Sequence, residues 1–454
     1  MFCCQLTIGG DCAIIWNGYF RLLPIRESMK MITKTPPMGW NSWDCWGAAV
    51  NEETVIKNAE FIAENLKQFG WEYVVIDIQW SEPTANSHEY HPFTELCMDE
   101  YSRLIPAENR FPSSAGGKGF APLADYIHSL GLKFGIHIMR GIPRQAVHRN
   151  TALLGTDATA RQIAKTDSIC HWNTDMYGVD PDKKGAREYY ESIFKLYASW
   201  GVDFVKCDDI CRELPHEESE LVLLSECIRN CGRDMVLSLS PGPALLEKAD
   251  VYAKTGDMWR ITDDFWDKWE LLYNMFERCE KWAPYCGKSG WPDADMLPVG
   301  AILQDYGPDN HTKFTEDEQR TMLTLWSIFR SPLFIGGDLS KCDSFTLSLL
   351  TSKGILDMTA NSRNASQLKR CSCGDTEIVI WTADCSEGGK YAALFNIGEA
   401  DCVLNIPCNE LGAGSCELCL DLWNGKVAGL SDTVSAELKK HSCAAFLIGG
   451  AGEL

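Results

Sequence analysis

A chain of 454 residues is too long for one ordinary hydrophobic core and reads as one large domain plus a smaller one. With 45% hydrophobic and 11% aromatic residues it is globular rather than disordered. The net charge of −21 argues against nucleic acid and anionic membrane surfaces as partners, and no run of about 18 apolar residues marks a transmembrane span.

Residues 1–32 read as an N-terminal extension. Their apolar stretch is broken by Asp11, Asn17 and Arg21 and lacks a preceding basic residue, so it fits a secretory signal poorly; Met29 or Met31 is the candidate true start. The 21 cysteines are scattered and odd in number. Several, such as Cys207 and Cys227, sit in apolar segments, where a thiol packs as a small hydrophobe. Cys416-x-x-Cys419 has no second pair to complete a zinc site, so core packing is favoured there over metal binding. A reduced, cytoplasmic protein follows from this cysteine usage.

Over 33–362 short apolar runs alternate with amphipathic stretches. The strand candidates are 38–43, 72–77, 133–138, 203–208, 235–240, 250–255, a weak one within 287–296, and 332–337. Between them, 52–68 places Val55, Ala59, Ile62 and Leu66 on one helical face, with Asn51 as cap and Gly70 as stop. Residues 315–330 open with the capping box Thr315-x-x-Glu318, and helix 186–200 stops at Gly201. Eight strand–helix units predict a (β/α)8 TIM barrel, with an open doubly wound sheet as the alternative. Over 363–454 the texture changes to short strand-like runs separated by Gly, Asn and Asp, which predicts a small antiparallel β-sandwich.

In such a barrel, chemistry sits where strands end at the C-terminal face. Asp77, Asp208 and Ser240 end strands two, four and five; Asp293 and Asp295 lie near strand seven; Asp263, Asp264 and Asp267 follow the sixth. Strand alternation points Lys206 and Asp208 the same way. An ammonium lowers a neighbouring carboxylate's pKa, which suits an ionised nucleophile and equally a structural ion pair. In WRITDDFWDKW (259–269), Arg260 and Asp264 are four apart among crowded acids. Such crowding raises a carboxyl's pKa as a general acid requires, although acids also decorate helix N-termini. Tryptophans 40, 43, 46, 80, 259, 266, 269 and 291 gather at the same strand ends, as sugar-stacking surfaces or as core.

These segments resemble glycoside hydrolase family 27 of clan D, which holds α-galactosidases and α-N-acetylgalactosaminidases. The likeness runs from Thr35 to the C-terminus through TPPMGWNSW (35–43), YVVIDIQW (73–80), FAPLADYIHSLGLKFGIH (120–137), GVDFVKCDD (201–209), WRITDDFWDKW, WPDADML (291–297) and DLWNGK (421–426), with His441 beyond. The resemblance implies a retaining exo-glycosidase with Asp208 as nucleophile, Asp264 as acid/base, and no metal or organic cofactor. It further implies that Asp77, Lys206 and Arg260 hold sugar hydroxyls, that Trp40 and Met296 line the pocket, and that Asp295 lies near the sugar.

Three departures bear on the substrate. The family usually shows two consecutive Asp after strand two, whereas Ile78 follows Asp77 here. That suits β-L-arabinopyranose, which is galactose without its C6 hydroxymethyl group. Ser240 stands where galactosidases tend to carry Glu, resembling the N-acetylgalactosaminidase arrangement. His137 stands where Tyr is common, and the unusual stretch 139–150 offers Arg140, Arg144 and His148 either as a further subsite or as solvated loop charges. The substrates rank as α-galactoside, then β-L-arabinopyranoside, then α-N-acetylgalactosaminide. The competing readings are a catalytically silent sugar-binding barrel and a Schiff-base aldolase working through Lys206. A homo-oligomer is compatible with all of these.

Overall fold

The computed structural model describes residues 31–212, 214–413, 418–428 and 432–449. Residues 1–30 and Cys416 of the C-x-x-C pair lie outside the described residues. Eight parallel strands form one sheet: β1 (Met38–Asn41), β2 (Tyr73–Ile76), β3 (Lys133–Met139), β4 (Phe204–Asp208), β5 (Val236–Leu239), β6 (Met258–Arg260), β7 (Trp291–Asp293) and β8 (Leu333–Ile335). β8 pairs with β1, and Leu297, just beyond β7, bridges to Ile335 of β8, so the sheet curls back on itself as a (β/α)8 barrel.

Two-residue alternation sorts the side chains into two cores. Tyr73, Val75, Phe204, Val236, Met258, Trp291 and Phe334 pack inside the barrel as its apolar floor, whereas Val74, Ile76, Val205, Cys207, Leu237 and Leu239 pack outward with the helices. Gly135 on β3 is required for closeness, because a Cβ there would meet Val75 Cγ2 at 2.9 Å and Phe204 Cβ at 3.0 Å.

The short helix α1 (Trp43–Trp46) follows β1, and α2 (Glu52–Phe61) is capped as the sequence predicts, with Asn51 Oδ1 accepting from Thr54 N at 3.0 Å. Beyond Phe61 the helix loosens into a π segment (Ile62–Leu66), which keeps Ile62 and Leu66 buried, before Gly70 ends it at φ 97°. Residues 250–255, expected as strand six, belong instead to a helix, α3 (Ala249–Thr255). The sixth strand is the three-residue β6, too short to show a period. The capping box at Thr315 and Glu318 opens α4 (Glu316–Phe329).

From Ser362 the chain is antiparallel: a six-stranded sheet centred on Thr376–Cys385, Lys390–Asn396 and Cys443–Gly449, with a two-stranded sheet of Cys402–Pro407 and Thr433–Leu438. Between β3 and β4 a separate small sheet (Ile142–Pro143, Ala164–Ile169, Met176–Val179) rises beside the barrel mouth. Most described cysteines are free thiols and many are buried; Cys408, which is disulfide-bonded, departs from the fully reduced expectation. Among the described residues no helix is long and apolar enough to cross a membrane.

Candidate active site

Toward their C-terminal ends, β2 and β4 turn from apolar to charged on the lumen side. On β4 the lumen side runs Phe204, Lys206, Asp208, and on β2 it runs Tyr73, Val75, Asp77. The β3–β4 register sets His137 beside Lys206 and Met139 beside Asp208, and the β6–β7 register sets Asp293 beside Arg260. Charge thus gathers at the C-terminal mouth because the pleat and register carry it there.

Asp208 is held at both oxygens. Oδ2 accepts from His137 Nε2 at 2.7 Å, Oδ1 accepts from the Ser240 hydroxyl, and Lys206 Nζ stands 3.9 Å from Oδ2. Since a carboxylate only accepts, Nε2 of His137 is the donor. Burial disfavours the charged form, but Lys206 and His137 outweigh it and hold Asp208 below the usual carboxylate range. It is therefore an ionised carboxylate at neutral pH.

Asp77 shares the same cation. Its Oδ2 accepts from Lys206 Nζ and from Asn41 Nδ2, each at 2.8 Å, and its Oδ1 accepts from Ile78 N at 2.8 Å. Burial again opposes ionisation and loses to Lys206 and His137. In return, although burial pulls it down, Asp77 and Asp208 hold Lys206 above its ordinary pKa. A protonated amine is not a nucleophile, which counts against the Schiff-base reading. Asp77, His137 and Asp208 also bring three ligand-type atoms within 4.8 Å of one another. There Lys206 supplies the positive charge, and the direct His137–Asp208 hydrogen bond takes the lone pairs an ion would use.

Asp264 lies across the mouth and is solvent-exposed. Its Oδ1 meets Arg260 Nη2 at 2.9 Å, and the same guanidinium reaches Asp295 Oδ1 through Nη1 at 2.8 Å. Asp295 also accepts from Phe265 N and Met296 N, each at 2.8 Å, so it braces the loop that carries Asp264. Burial opposes the charge on Arg260, but Asp295 and Asp264 raise its pKa further.

One cavity of about 310 Å³ is lined by Asp77, Lys206, Asp208, Arg260, Asp264, Asp295 and Met296, so Asp208 and Asp264 face the same space. His137 and Ser240 stand behind its wall, reaching the cavity only through Asp208. Trp40 does not line it: the indole is buried and donates to Gly337 O at 2.9 Å. Trp43 lines it instead, with Asp44, Tyr90, Trp172 and Trp266. Tyr90 stacks on Trp43 at 5.9 Å. Trp43 and Trp266 were legible as strand-end tryptophans, but nothing local flags Asp44, Tyr90 or Trp172. Trp80, Trp259 and Trp291 are core.

The suggested Arg140 subsite does not form. Arg140 is buried against Asp209, Glu217 and Glu220, Arg144 stacks on Tyr177 at 4.6 Å, and His148 is exposed away from the cavity lining.

A barrel mouth whose cavity brings together the buried, ionised Asp208 and the exposed Asp264 suits glycosidic bond cleavage. The comparisons with known proteins agree. The sequence model of alpha galactosidase A matches residues 35–182 and 181–361, and that of the alpha galactosidase C-terminal β-sandwich domain matches 375–448. A GH27 β-L-arabinopyranosidase from Geobacillus stearothermophilus is 55% identical, covers 92% of this chain and 97% of its own, and superposes with a TM-score of 0.88. An α-galactosidase from Cyamopsis tetragonoloba is 26% identical over 421 residues, 91% of this chain and 86% of its own. The chain belongs to glycoside hydrolase family 27. It is a glycoside hydrolase.

Proposed function

We propose that the enzyme releases a terminal β-L-arabinopyranosyl group with retention of configuration, Asp208 attacking the anomeric carbon and Asp264 protonating the leaving oxygen. The observation that carries the mechanism is the asymmetry of the two carboxyls in one cavity. Asp208 is buried and held ionised by Lys206 and His137, as a nucleophile needs. Asp264 is open to solvent, as suits a group that gives a proton to the leaving oxygen and later takes one from water. Asp77 and Lys206, bonded to each other, would hold ring hydroxyls; Arg260 would set the orientation of Asp264.

The substrate reading rests on Ile78. It is buried with Met139, Cys170 and Met176 in an apolar cluster that packs against Trp43, Tyr90 and Trp172, three of the cavity's aromatic walls. Where the family usually has a second carboxylate for a galactose hydroxyl, this chain has hydrocarbon, which backs those aromatic walls rather than lining the cavity itself. A hydroxymethyl group would lose its polar partner there, a cost of about 1–3 kcal/mol. A sugar without that group loses nothing. The 55% identical relative is a β-L-arabinopyranosidase, and a variant of it was solved in complex with arabinose. Ser240 supports the N-acetylgalactosaminide reading less, because its hydroxyl is committed to Asp208.

Three nitrophenyl glycosides test this directly. The β-L-arabinopyranoside should exceed the α-D-galactopyranoside and the α-N-acetylgalactosaminide in kcat/KM by about tenfold or more. Ile78→Asp should shift the ratio toward galactoside by about 10- to 100-fold. A galactoside preference in the wild type would sink the substrate reading. The mechanism is tested apart from it: early product followed by NMR should keep the anomeric configuration, and Asp208→Asn should lose activity by a factor on the order of 10⁴ while remaining folded.

A further inference from the structure

We propose that Asp44 is a substrate-contacting residue whose carboxyl takes one ring hydroxyl of the bound sugar. The proposal rests on the reading of the cavity as a terminal-sugar site. It adds a specificity residue that neither the strand ends nor the paired charges account for.

Asp44 sits on α1 and lines the same cavity as Asp77, Lys206, Asp208, Asp264 and Asp295. It is 3% exposed, and its Oδ2 is buried with no hydrogen-bond partner among the described residues. The other lining carboxyls are served: Asp77 by Lys206 and Asn41, Asp208 by His137 and Ser240, Asp263 by Arg212, Asp264 and Asp295 by Arg260. The nearby cations are therefore engaged elsewhere. Native proteins rarely leave a buried carboxyl oxygen unpaired, so this one calls for a partner that the surrounding side chains do not supply.

The seat of this side chain is also built. Leu303 N donates to Asp44 O at 2.7 Å and Gln304 N to Cys45 O at 2.7 Å, fixing the α1 backbone. Gly336, directly after β8, lies under the carboxyl, and any Cβ there would collide with Oδ2. Burial, reinforced by Asp295 and Asp264 against Lys206 and Arg260, keeps the Asp44 pKa well above its ordinary value. A neutral carboxyl both donates and accepts, matching a sugar hydroxyl rather than a cation.

The test is a cycle between enzyme and substrate, run on the nitrophenyl glycoside that the wild type cleaves best. A galactoside preference would thus overturn the arabinoside reading without touching this one. The 2-, 3- and 4-deoxy analogues are compared in wild type and Asp44→Ala. Intrinsic reactivity changes in each analogue cancel between the two enzymes. Removal of one particular hydroxyl should cost the wild type about tenfold or more in kcat/KM and the variant less than about threefold, with the other two penalties unchanged. Three penalties equal in both enzymes would overturn the proposal. Should Asp44→Ala not fold, a crystal structure of Asp208→Asn with the free monosaccharide decides. A sugar oxygen within about 3.2 Å of the Asp44 carboxyl supports the assignment, and none within about 4 Å rejects it.

Discussion

At the scale of single residues, the charge of Asp208, the proposed nucleophile, depends on a neighbour that does not line the cavity. His137 is 2% exposed and touches the cavity only by donating to Asp208 Oδ2. It replaces the Tyr common in the family, so here an imidazole helps hold the carboxylate ionised. The sign is definite: Asp208 lies below its ordinary range, so the ionised form persists as pH falls, and activity should fail only at low pH. Losing the His137 contact raises the Asp208 pKa. His137→Phe should therefore move the acid limb of kcat/KM upward by roughly one pH unit, whereas His137→Gln, which keeps a donor, should move it less. Full pH–rate profiles check this, and an unmoved acid limb in His137→Phe would show that Lys206 alone sets the charge.

At the scale of elements, the end of β4 is held by the strand beside it. Arg140, just past β3, donates its backbone N–H to Asp208 O at 3.0 Å, its Nε to Asp209 O, and pairs with the Asp209 carboxylate at 2.9 Å. Asp209 sits at φ 63°, a left-handed conformation that Asp adopts more readily than most residues with a side chain. The same guanidinium faces Glu217 and Glu220, where burial pushes Glu220 up to about 7 against the pull of Arg140. Arg140→Met should then cost about 3–5 kcal/mol, read as a lower denaturation midpoint, because it strands buried carboxyls. A stable variant with full kcat would mean that the turn after Asp208 holds itself. Arg140 also shows the limit of reading such elements from sequence: its charge suggested a subsite, and only the fold reveals the buried acids that consume it. β4 was legible because alternation over Phe204, Lys206 and Asp208 is a local property. The helix openings at Asn51 and Thr315 were legible because caps are local too. β6 was not, since three residues carry no period and the preceding α3 is rich in residues that suit a strand. The edge strand Ser362–Cys373 was missed because SRNASQLKRCSC, largely exposed, shows little apolar alternation. Asp44 and Trp172 were missed because convergence of α1 with the 140–185 excursion is long-range.

At the scale of the whole molecule, the barrel and the sandwich share a helix. Residues 321–329 of α4 are all buried, which a surface helix of a lone barrel would not show. Its outer face carries Thr321 and Thr324, which bond to His441 O at 2.8 Å and accept from Trp423 Nε1 at 3.1 Å. His441 is the centre of that seam: Nδ1 meets Glu318 Oε1 at 2.8 Å, Nε2 meets Glu399 Oε1 at 3.3 Å, and the ring stacks on Trp269 at 3.5 Å. Glu318 is the capping-box residue whose Oε2 accepts from Thr315 N at 2.9 Å, so one side chain both starts α4 and docks the sandwich. Truncating His441 removes a hydrogen bond to a nearly buried carboxylate and a stacked ring, together about 2–4 kcal/mol. His441→Ala should lower the melting temperature by about 5 °C. Because the seam lies away from the cavity lining, kcat/KM at 25 °C should stay within about twofold of wild type. A variant that melts normally would show the two domains docked by apolar contact alone, and a variant that loses activity without losing stability would show that the seam communicates with the mouth.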